Sequence, residues 1–222
     1  FFTLPEDGRI YRDWKEGGHG DTNLFKAITQ SSNTYFFDLA YRSDINQLNK
    51  HLSSLGFGDK ACIDCFEEDQ VFVPEPSWKM NKHNFGWFKG DTVNMGVGQG
   101  YLVSTPIQLA KYAYIMANKG KFSDLSLKKD LVKGEKSIEF NKFSNDDWFK
   151  LHESMVNVIE GNTGTARRLR EKKNYIVAAK TGTAELVSGD NREQYSETRL
   201  DDSLRDHALI IAFGPMPNPR YA

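Results

Sequence analysis

The residues that most clearly offer chemistry lie in residues 175–185, Y-I-V-A-A-K-T-G-T-A-E. The stretch begins as an apolar, β-branched run, which predicts a buried strand. It ends with an ammonium on Lys180 and with hydroxyls on Thr181 and Thr183, which alternation places on one face of the strand. Gly182, between the two threonines, lets a ligand or another backbone come close. Such an edge suits a substrate that carries a carboxylate beside a reacting carbonyl.

A second polar group lies early in the chain, in the run Ser31-Ser32-Asn33-Thr34. It separates two segments with helical spacing, residues 23–31 and 35–40, so the pattern predicts a helix–helix junction. Taken from the residues alone, the favoured interpretation of Ser31 and Asn33 is that they cap the second helix, because short polar side chains bond the free N–H groups of a helix start. A catalytic role is the alternative.

Two other groups resemble metal sites. Asp13 and His19 lie in a glycine-containing loop, but two ligands do not make a site, and a loop held by hydrogen bonds is the favoured interpretation. Cys62 and Cys65 form C-I-D-C, without the second pair that a structural zinc site usually has. We favour two small, partly buried residues in a loop, and a local disulfide is the alternative.

The remaining pattern predicts the elements that must position these groups. Helix starts are indicated at Asp44, at Thr105 and at Ser144, each a capping residue before an apolar period. Residues 59–90 are predicted to be a loop. Residues 206–214 predict a second buried strand, antiparallel to the first and reached through a long polar loop over 187–205.

Composition narrows the class of protein. The chain has 222 residues, 39% of them hydrophobic and 13% aromatic, which is enough for a real core. Lys and Arg number 29 against 30 Asp and Glu, so the basic excess of a nucleic-acid-binding protein is missing and no nucleic-acid partner is expected. No run of the sequence is long and apolar enough to cross a bilayer, so any membrane anchor would lie outside these residues.

Several motifs together carry a resemblance to a known family. K-T-G over 180–182 and S-x-N over 31–33 are two of the three motifs of penicillin-recognising acyl enzymes, in that family's order. Four further features lie between or beside them: G-V-G-Q-G followed by T-P-I-Q-L-A over 96–110, G-T-A over 164–166, D-H-A over 206–208, and R-D-W-K with G-H-G over 12–20. The chain resembles the transpeptidase domain of class B penicillin-binding proteins, and within them the penicillin-binding protein 2 subfamily.

The resemblance implies a fold and a division of the chain. The fold class is α/β (α+β), an antiparallel sheet flanked by helices with a helical subdomain, similar to β-lactamases and incomplete here. We expect residues 1–174 to form the mainly helical part with S-x-N, and residues 175–222 to form the sheet strands with K-T-G.

The resemblance also implies a function: a serine-type D,D-transpeptidase that cross-links peptidoglycan stem peptides ending in D-Ala–D-Ala and is trapped by β-lactam antibiotics. In that reaction Ser31, Asn33 and Lys180 are catalytic, and Thr181, Gly182 and Thr183 bind the substrate. No cofactor is implied. The full-length enzyme is expected at the bacterial inner membrane, with its catalytic domain in the periplasm and with membrane proteins of the elongation complex as partners.

The departures from the family pattern limit these expectations. The family places the nucleophile motif S-x-x-K ahead of S-x-N, and the only such string here, Ser126 to Lys129, follows it in a polar segment and is interpreted as a chance match. The chain is therefore expected to be a fragment, inactive and poorly stable or self-associating on its own. Some family members bind zinc through a cysteine at the middle of S-x-N, where this chain has Ser32, so zinc is not expected.

Three other functions remain open. A β-lactamase-like hydrolase would share the fold but need a positioned base for water. A non-catalytic sensor or scaffold would need no serine nucleophile. An unrelated α/β domain would carry these motifs by accident.

Overall fold

The computed structural model describes residues 1–132, 134–138, 140, 143–172, 174–184 and 205–222. The predicted loop over 187–205 and the end of the motif stretch, Glu185, therefore lie almost wholly outside the described residues. The described α-helices are α1 (Leu24–Gln30), α2 (Asn33–Arg42), α3 (Ile45–Ser54), α4 (Pro76–His83), α5 (Lys89–Met95), α6 (Pro106–Ala117) and α7 (Asn145–Glu160). The described strands are β1 (Phe2–Thr3), β2 (Ile10–Tyr11), β3 (Lys121–Phe122), β4 (Lys136–Ser137), β5 (Ala178–Ala184) and β6 (His207–Phe213).

The strand that carries K-T-G pairs with the last strand. β5 and β6 run antiparallel over seven residue pairs, from Ala178 opposite Phe213 to Ala184 opposite His207. The predicted antiparallel pair is confirmed, but the prediction that 206–214 is a buried strand is wrong, because His207 to Ile210 are exposed. The strand begins at Ala178, and Tyr175 and Ile176 ahead of it are exposed, so the predicted buried run starts too early. Past Phe213, Pro215 and Pro217 have no N–H to donate, while the Met216 N–H donates to the Ile176 carbonyl at 2.9 Å.

The main core lies between this sheet and two helices. Ile115, Met116 and Ala117 of α6 meet Trp148 and Met155 of α7, together with the sheet residues Ala178 and Phe213. Helix α1 packs on α7, where the Thr29 hydroxyl donates to the Ser154 carbonyl at 3.1 Å, a buried contact between distant parts of the chain. This packing brings the end of α1 next to β5, which places the polar junction beside K-T-G.

A second core holds the following helix. Leu4, Tyr11, Phe37 and Val93 form a buried cluster that packs α2 against α5 and the β1–β2 hairpin. Helix α5 leads directly into the glycine-rich run 96–100. Gly96 has no room for a side chain, since a Cβ there would lie 2.4 Å from that of Ala40 on α2.

The predicted helix starts are confirmed, and the predicted loop over 59–90 holds for 59–75 and 84–88 but is wrong where helices form. Asp44, Thr105 and Ser144 are the N-caps of α3, α6 and α7. The region 59–90 contains α4 and the start of α5. Lys79 is buried there because its ammonium lies 2.5 Å from the Asp91 carboxylate and over aromatic rings, a pairing that local spacing does not reveal.

The interpretation of Cys62 and Cys65 as free loop residues is also wrong, because they form a disulfide. The turn brings their Cα atoms to 5.3 Å, within the usual range for such a bond. Among the described residues, no helix is long and apolar enough to span a membrane. The division at residue 174 falls between α7 and β5 and remains a proposal.

Candidate active site

The S-x-N junction is a tight turn between two helices. Helix α1 ends at Gln30, and Ser31 follows in the left-handed conformation with φ of 54°. Ser32, rather than Ser31 or Asn33, is the N-cap of α2, where its hydroxyl accepts from the Tyr35 N–H. The capping interpretation is therefore wrong for Ser31 and Asn33. Because Ser32 already caps α2, the side chain of Ser31 is free to point elsewhere.

The side chain of Ser31 meets Lys180. The Lys180 ammonium donates to Ser31 Oγ at 2.7 Å and to the Thr181 carbonyl at 2.8 Å. The two residues are 149 positions apart, so the contact comes from the packing of α1 on α7 and β5. Burial lowers the pKa of Lys180 from 10.5 to about 8, since removing the ammonium from water disfavours its charged form. At neutral pH the site holds a positive charge beside a hydroxyl.

The two threonines of the strand have different surroundings. The Thr181 hydroxyl is 2.7 Å from the Thr165 hydroxyl in a part-buried contact, while Thr183 is exposed. Gly182 is also exposed, and an added Cβ there would meet only the Leu209 Cβ at 3.7 Å, an ordinary contact distance. The protein's own packing therefore leaves space beside Gly182.

Asn33 completes the set of predicted residues. It is the first residue of α2 and half-buried, two positions after Ser31. Within the described part of the chain its side-chain amide has no hydrogen-bond partner, so its donor and acceptor remain available to a ligand. The structure thus brings S-x-N and K-T-G to one place.

Three neighbouring residues were not predicted as site residues. Gln99, in the glycine-rich run, donates from its side-chain amide to the Thr183 carbonyl at 2.9 Å. Thr165 bonds Thr181, and the Trp14 indole N–H donates to the Ser31 carbonyl at 2.9 Å. All three lie in motifs that carry the family resemblance, and membership of those motifs was the one sequence signal that could have identified them. Their contacts arise only in the tertiary structure.

Asp13 and His19 lie behind the turn and bond each other, with His19 Nε2 at 2.9 Å from Asp13 Oδ1. Burial raises the pKa of Asp13, but hydrogen bonds, first from the Thr34 backbone N–H and then from His19, outweigh burial and lower it. The other His19 nitrogen faces Gln30 Oε1 at 2.8 Å. Both side chains are almost fully buried.

This set does not fit a zinc site. A structural zinc ion needs about four ligands of the Cys, His or carboxylate type, and a neutral serine hydroxyl is a poor substitute for a thiolate. Ser32 Oγ donates to Asp13 Oδ2 at 3.2 Å and also caps α2. Over the residues that the structure describes, the only group of three possible ligand residues is Cys62, Asp64 and Cys65, whose sulfurs are bonded to each other.

Ser126, in the S-x-x-K string interpreted as a chance match, lies apart from this site. Its hydroxyl donates to the Lys128 carbonyl at 2.7 Å in a surface turn beside Asp64. Within the described residues neither Lys128 nor Lys129 brings its ammonium to this hydroxyl, so Ser126 lacks the base that a nucleophile needs.

Comparison with known proteins agrees with this geometry. Residues 2–222 match the family described as the penicillin binding protein transpeptidase domain. The chain is 36% identical to the peptidoglycan D,D-transpeptidase MrdA of Haemophilus influenzae and 37% identical to that of Acinetobacter baumannii. These alignments cover 99% and 100% of this chain but 35% and 34% of the relatives, so the chain spans about a third of their length.

Solved structures show the same fold. The Pseudomonas aeruginosa PBP2 structure, in complex with WCK 5153, superposes with a TM-score of 0.83 at 33% identity, over 99% of this chain and 47% of that one. The Helicobacter pylori PBP2 structure, in complex with MreC, also gives 0.83, at 32% identity over 95% of this chain and 37% of that one. With the motifs, their geometry and a family match over nearly every residue, the chain belongs to the penicillin-binding protein transpeptidase family, as part of that domain.

Proposed function

We propose that the protein containing this chain is a serine-type peptidoglycan D,D-transpeptidase. The observation that carries the proposal is the 2.7 Å contact between Lys180 Nζ and Ser31 Oγ, because it joins the two motifs that this chemistry needs in one part-buried site. Relatives that bear this activity in their names match the whole chain.

The proposed reaction is acyl transfer. A serine of S-x-x-K, supplied by residues outside this sequence, attacks the penultimate D-Ala carbonyl of a stem peptide, with the lysine of its motif as the base. The C–N bond breaks, D-Ala leaves with a proton, and the acyl group stays on the serine. An amine from a second stem peptide then takes the acyl group and releases the serine, which forms the cross-link.

The motif residues of this chain take the following proposed roles. Ser31 relays a proton to the leaving nitrogen, which suits a hydroxyl held against an ammonium. Lys180 provides positive potential beside Ser31 and the substrate carboxylate. Asn33, whose amide is unpaired among the described residues, bonds the amide of the acyl side chain.

The strand supplies the rest of the binding site. Thr181 and Thr183 hydroxyls bind the substrate carboxylate, and Gly182 between them leaves room for it. The Thr183 backbone N–H is one oxyanion donor and the N–H of the nucleophilic serine is the other. Losing one such donor typically costs about a hundredfold to a thousandfold in rate.

The proposed partners follow from the reaction and the relatives. The substrates are stem peptides ending in D-Ala–D-Ala, and β-lactams trap the enzyme because they mimic that dipeptide. The H. pylori neighbour was solved with MreC, and we propose membrane proteins of the elongation complex as partners here. The proposed location is the periplasmic side of the bacterial inner membrane, where peptidoglycan is made.

Labelling with a fluorescent penicillin tests the proposal. We expect the full-length protein to label stably and Lys180→Ala to depress labelling strongly. The matched control is Lys150→Ala, an exposed lysine of α7 paired with Asp146, which is expected to label normally. Near-normal labelling of Lys180→Ala would reject the proposed role of this lysine.

The same assay separates the other functions. Turnover of the antibiotic without a stable adduct would indicate a β-lactamase-like hydrolase. No labelling of the full-length protein would indicate a binding or sensor module. The 222-residue polypeptide alone is expected not to label, because the nucleophile is not among its residues.

A further inference from the structure

The carboxylate of Asp13 is the centre of a buried hydrogen-bond network that the proposed reaction does not use. Only 2% of its side chain is exposed. A buried carboxylate is costly unless its lone pairs are filled. Oδ1 accepts from His19 Nε2 at 2.9 Å and from the Lys15 N–H at 3.2 Å.

The other oxygen reaches the start of α2. Oδ2 accepts from the Thr34 N–H at 2.9 Å, from the Thr34 hydroxyl at 3.0 Å and from the Ser32 hydroxyl at 3.2 Å. Asp13 therefore ties its own loop to the residues that follow Ser31.

Its neighbours tie the same loop to the residues before Ser31. The Trp14 indole N–H donates to the carbonyls of Ser31 at 2.9 Å and Gln30 at 3.2 Å. His19 faces Gln30, and the Gln30 amide donates to the Thr163 hydroxyl at 3.0 Å. We call Asp13, Trp14, His19 and Gln30 the bracket. It contacts the chain on both sides of Ser31.

The turn needs such support. Ser31 has a positive φ, a strained conformation for a non-glycine residue that persists where surrounding contacts over-determine it. Within the described residues, Lys180 is the only hydrogen-bond partner of the Ser31 side chain. The direction of Ser31 Oγ is thus set by the backbone that the bracket holds.

We propose that Asp13 is the positioning residue for Ser31 and that the bracket holds the turn by hydrogen bonds alone, without a zinc ion. The inference rests on the proposed function, because it assigns Asp13 a role in that reaction. Asp13 acts through the backbone and touches no substrate. Its loss should slow the chemical step while the carboxylate-binding residues Lys180, Thr181 and Thr183 keep their affinity.

The experiment measures acylation of the full-length protein by a chromogenic β-lactam, with the acylation rate constant k2 and the dissociation constant Kd determined separately. Asp13→Asn keeps the shape but turns one acceptor into a donor that faces other donors. We expect k2 to fall between about tenfold and a hundredfold, because small displacements of a reacting group are costly. Kd should change by less than about threefold, well under the loss in k2.

The matched control is Glu68→Gln. Glu68 is also a carboxylate that accepts backbone N–H groups, those of Ala61 and Cys62, and a threonine hydroxyl, that of Thr105. It has no described contact with the bracket or with Ser31. We expect a lower Tm and an unchanged k2. An equal fall of k2 in both variants would overturn the proposal, since the effect would then be general destabilisation.

A milder variant keeps the proposal testable if Asp13→Asn does not fold. Thr34→Val removes one donor to Oδ2 and keeps the backbone N–H, so k2 should fall by a smaller factor at similar Kd. An unchanged k2 in this variant, or in a folded Asp13→Asn, would overturn the proposal.

Metal analysis tests the second part of the proposal, that the bracket is held by hydrogen bonds without zinc. We expect purified full-length protein to contain no stoichiometric zinc and to keep its Tm and k2 after EDTA treatment. One equivalent of zinc, with loss of both on chelation, would overturn a bracket held by hydrogen bonds. If the wild-type protein is not acylated at all, the proposed function fails. If the wild type is acylated, Lys180→Ala is not, and Asp13→Asn behaves as the wild type, the proposed function stands and only this inference fails.

Discussion

Lys180 holds its ammonium in a part-buried position. Its Nζ donates to Ser31 Oγ and to the Thr181 carbonyl, which offsets part of the cost of burial. Burial still lowers its pKa to about 8. The lysine is therefore mostly protonated at pH 7 and mostly neutral at pH 9. The positive potential of the site is thus lost within the pH range in which enzymes are commonly assayed.

This property predicts a pH dependence of acylation. Because the lowered pKa places the loss of the Lys180 proton near pH 8, k2/Kd of the full-length protein should fall as pH rises, with a midpoint near pH 8. Lys180→Arg stays protonated in this range, so its profile should lack that descending limb at a lower absolute rate. Stopped-flow acylation from pH 6.5 to 10 provides the measurement. A wild-type profile that stays level to pH 10 would contradict the assignment.

For single residues, the sequence identified candidate site residues but did not predict which of them are in contact. The types and order of Ser31, Asn33 and Lys180 pointed to acyl transfer because the family uses them in that order. No local period places residue 31 against residue 180, since that distance depends on how α1 packs on α7. The contacts of Trp14 and Gln99 were missed for the same reason.

Among the elements, the glycine-rich run after α5 is tied to β5 by one side chain. The Gln99 amide donates to the Thr183 carbonyl at 2.9 Å. Thr183 is also the residue whose N–H is a proposed oxyanion donor. The run therefore bonds the residue that carries this proposed donor.

Gln99→Ala should slow acylation by roughly threefold to tenfold, since one hydrogen bond contributes about 0.5–1.5 kcal/mol net. Gln99→Glu should be slower still, because a carboxylate would face the carbonyl oxygen. The control is Gln47→Ala, an exposed glutamine on α3. Measuring k2 for all three variants checks this, and equal rates in Gln99→Ala and the wild type would show that the contact is dispensable.

Helix α7, which supports both α1 and β5, depends on its N-terminal cap. Ser144 Oγ accepts from the Asp147 N–H at 3.2 Å, and Asp147 Oδ2 accepts from the Ser144 N–H at 2.8 Å. Ser144→Ala should cost about 1 kcal/mol, and Ser144→Gly only a few tenths. In a domain of this size the alanine variant should lower Tm by about 2–4 °C with k2 unchanged. Thermal unfolding of both variants measures it, and a larger loss for glycine than for alanine would contradict the capping role.

Helices with both a capping residue and an apolar period in the sequence were predictable, and helices without these signals were not. The caps at Asp44, Thr105 and Ser144 predicted three helices because cap and apolar period agree there. Helix α4 has eight residues and no side-chain cap bond, and α5 has seven. They are held by tertiary pairs such as Lys79 with Asp91, which sequence spacing does not encode.

For the whole molecule, the β5–β6 sheet presents an uncovered edge and exposed apolar side chains. One edge of β6 pairs with β5, and within the described residues its other edge has no strand partner. Leu209 and Ile210 on this strand are 43% and 48% exposed. An open edge with exposed apolar residues is a template for pairing with another chain.

The 222-residue polypeptide alone is therefore expected to self-associate at micromolar concentration through β6. Light scattering after gel filtration should show species larger than the 25.3 kDa chain. Replacing Ile210, which lies opposite Thr181, with lysine should shift the population toward monomer, because a charge on an exposed edge opposes pairing. The control Leu127→Lys, at an exposed leucine in the Ser126 turn, should leave association unchanged. A monodisperse monomer in the unmodified polypeptide would show that β6 is not a pairing edge, and an equal response to both lysines would attribute association to general hydrophobicity instead.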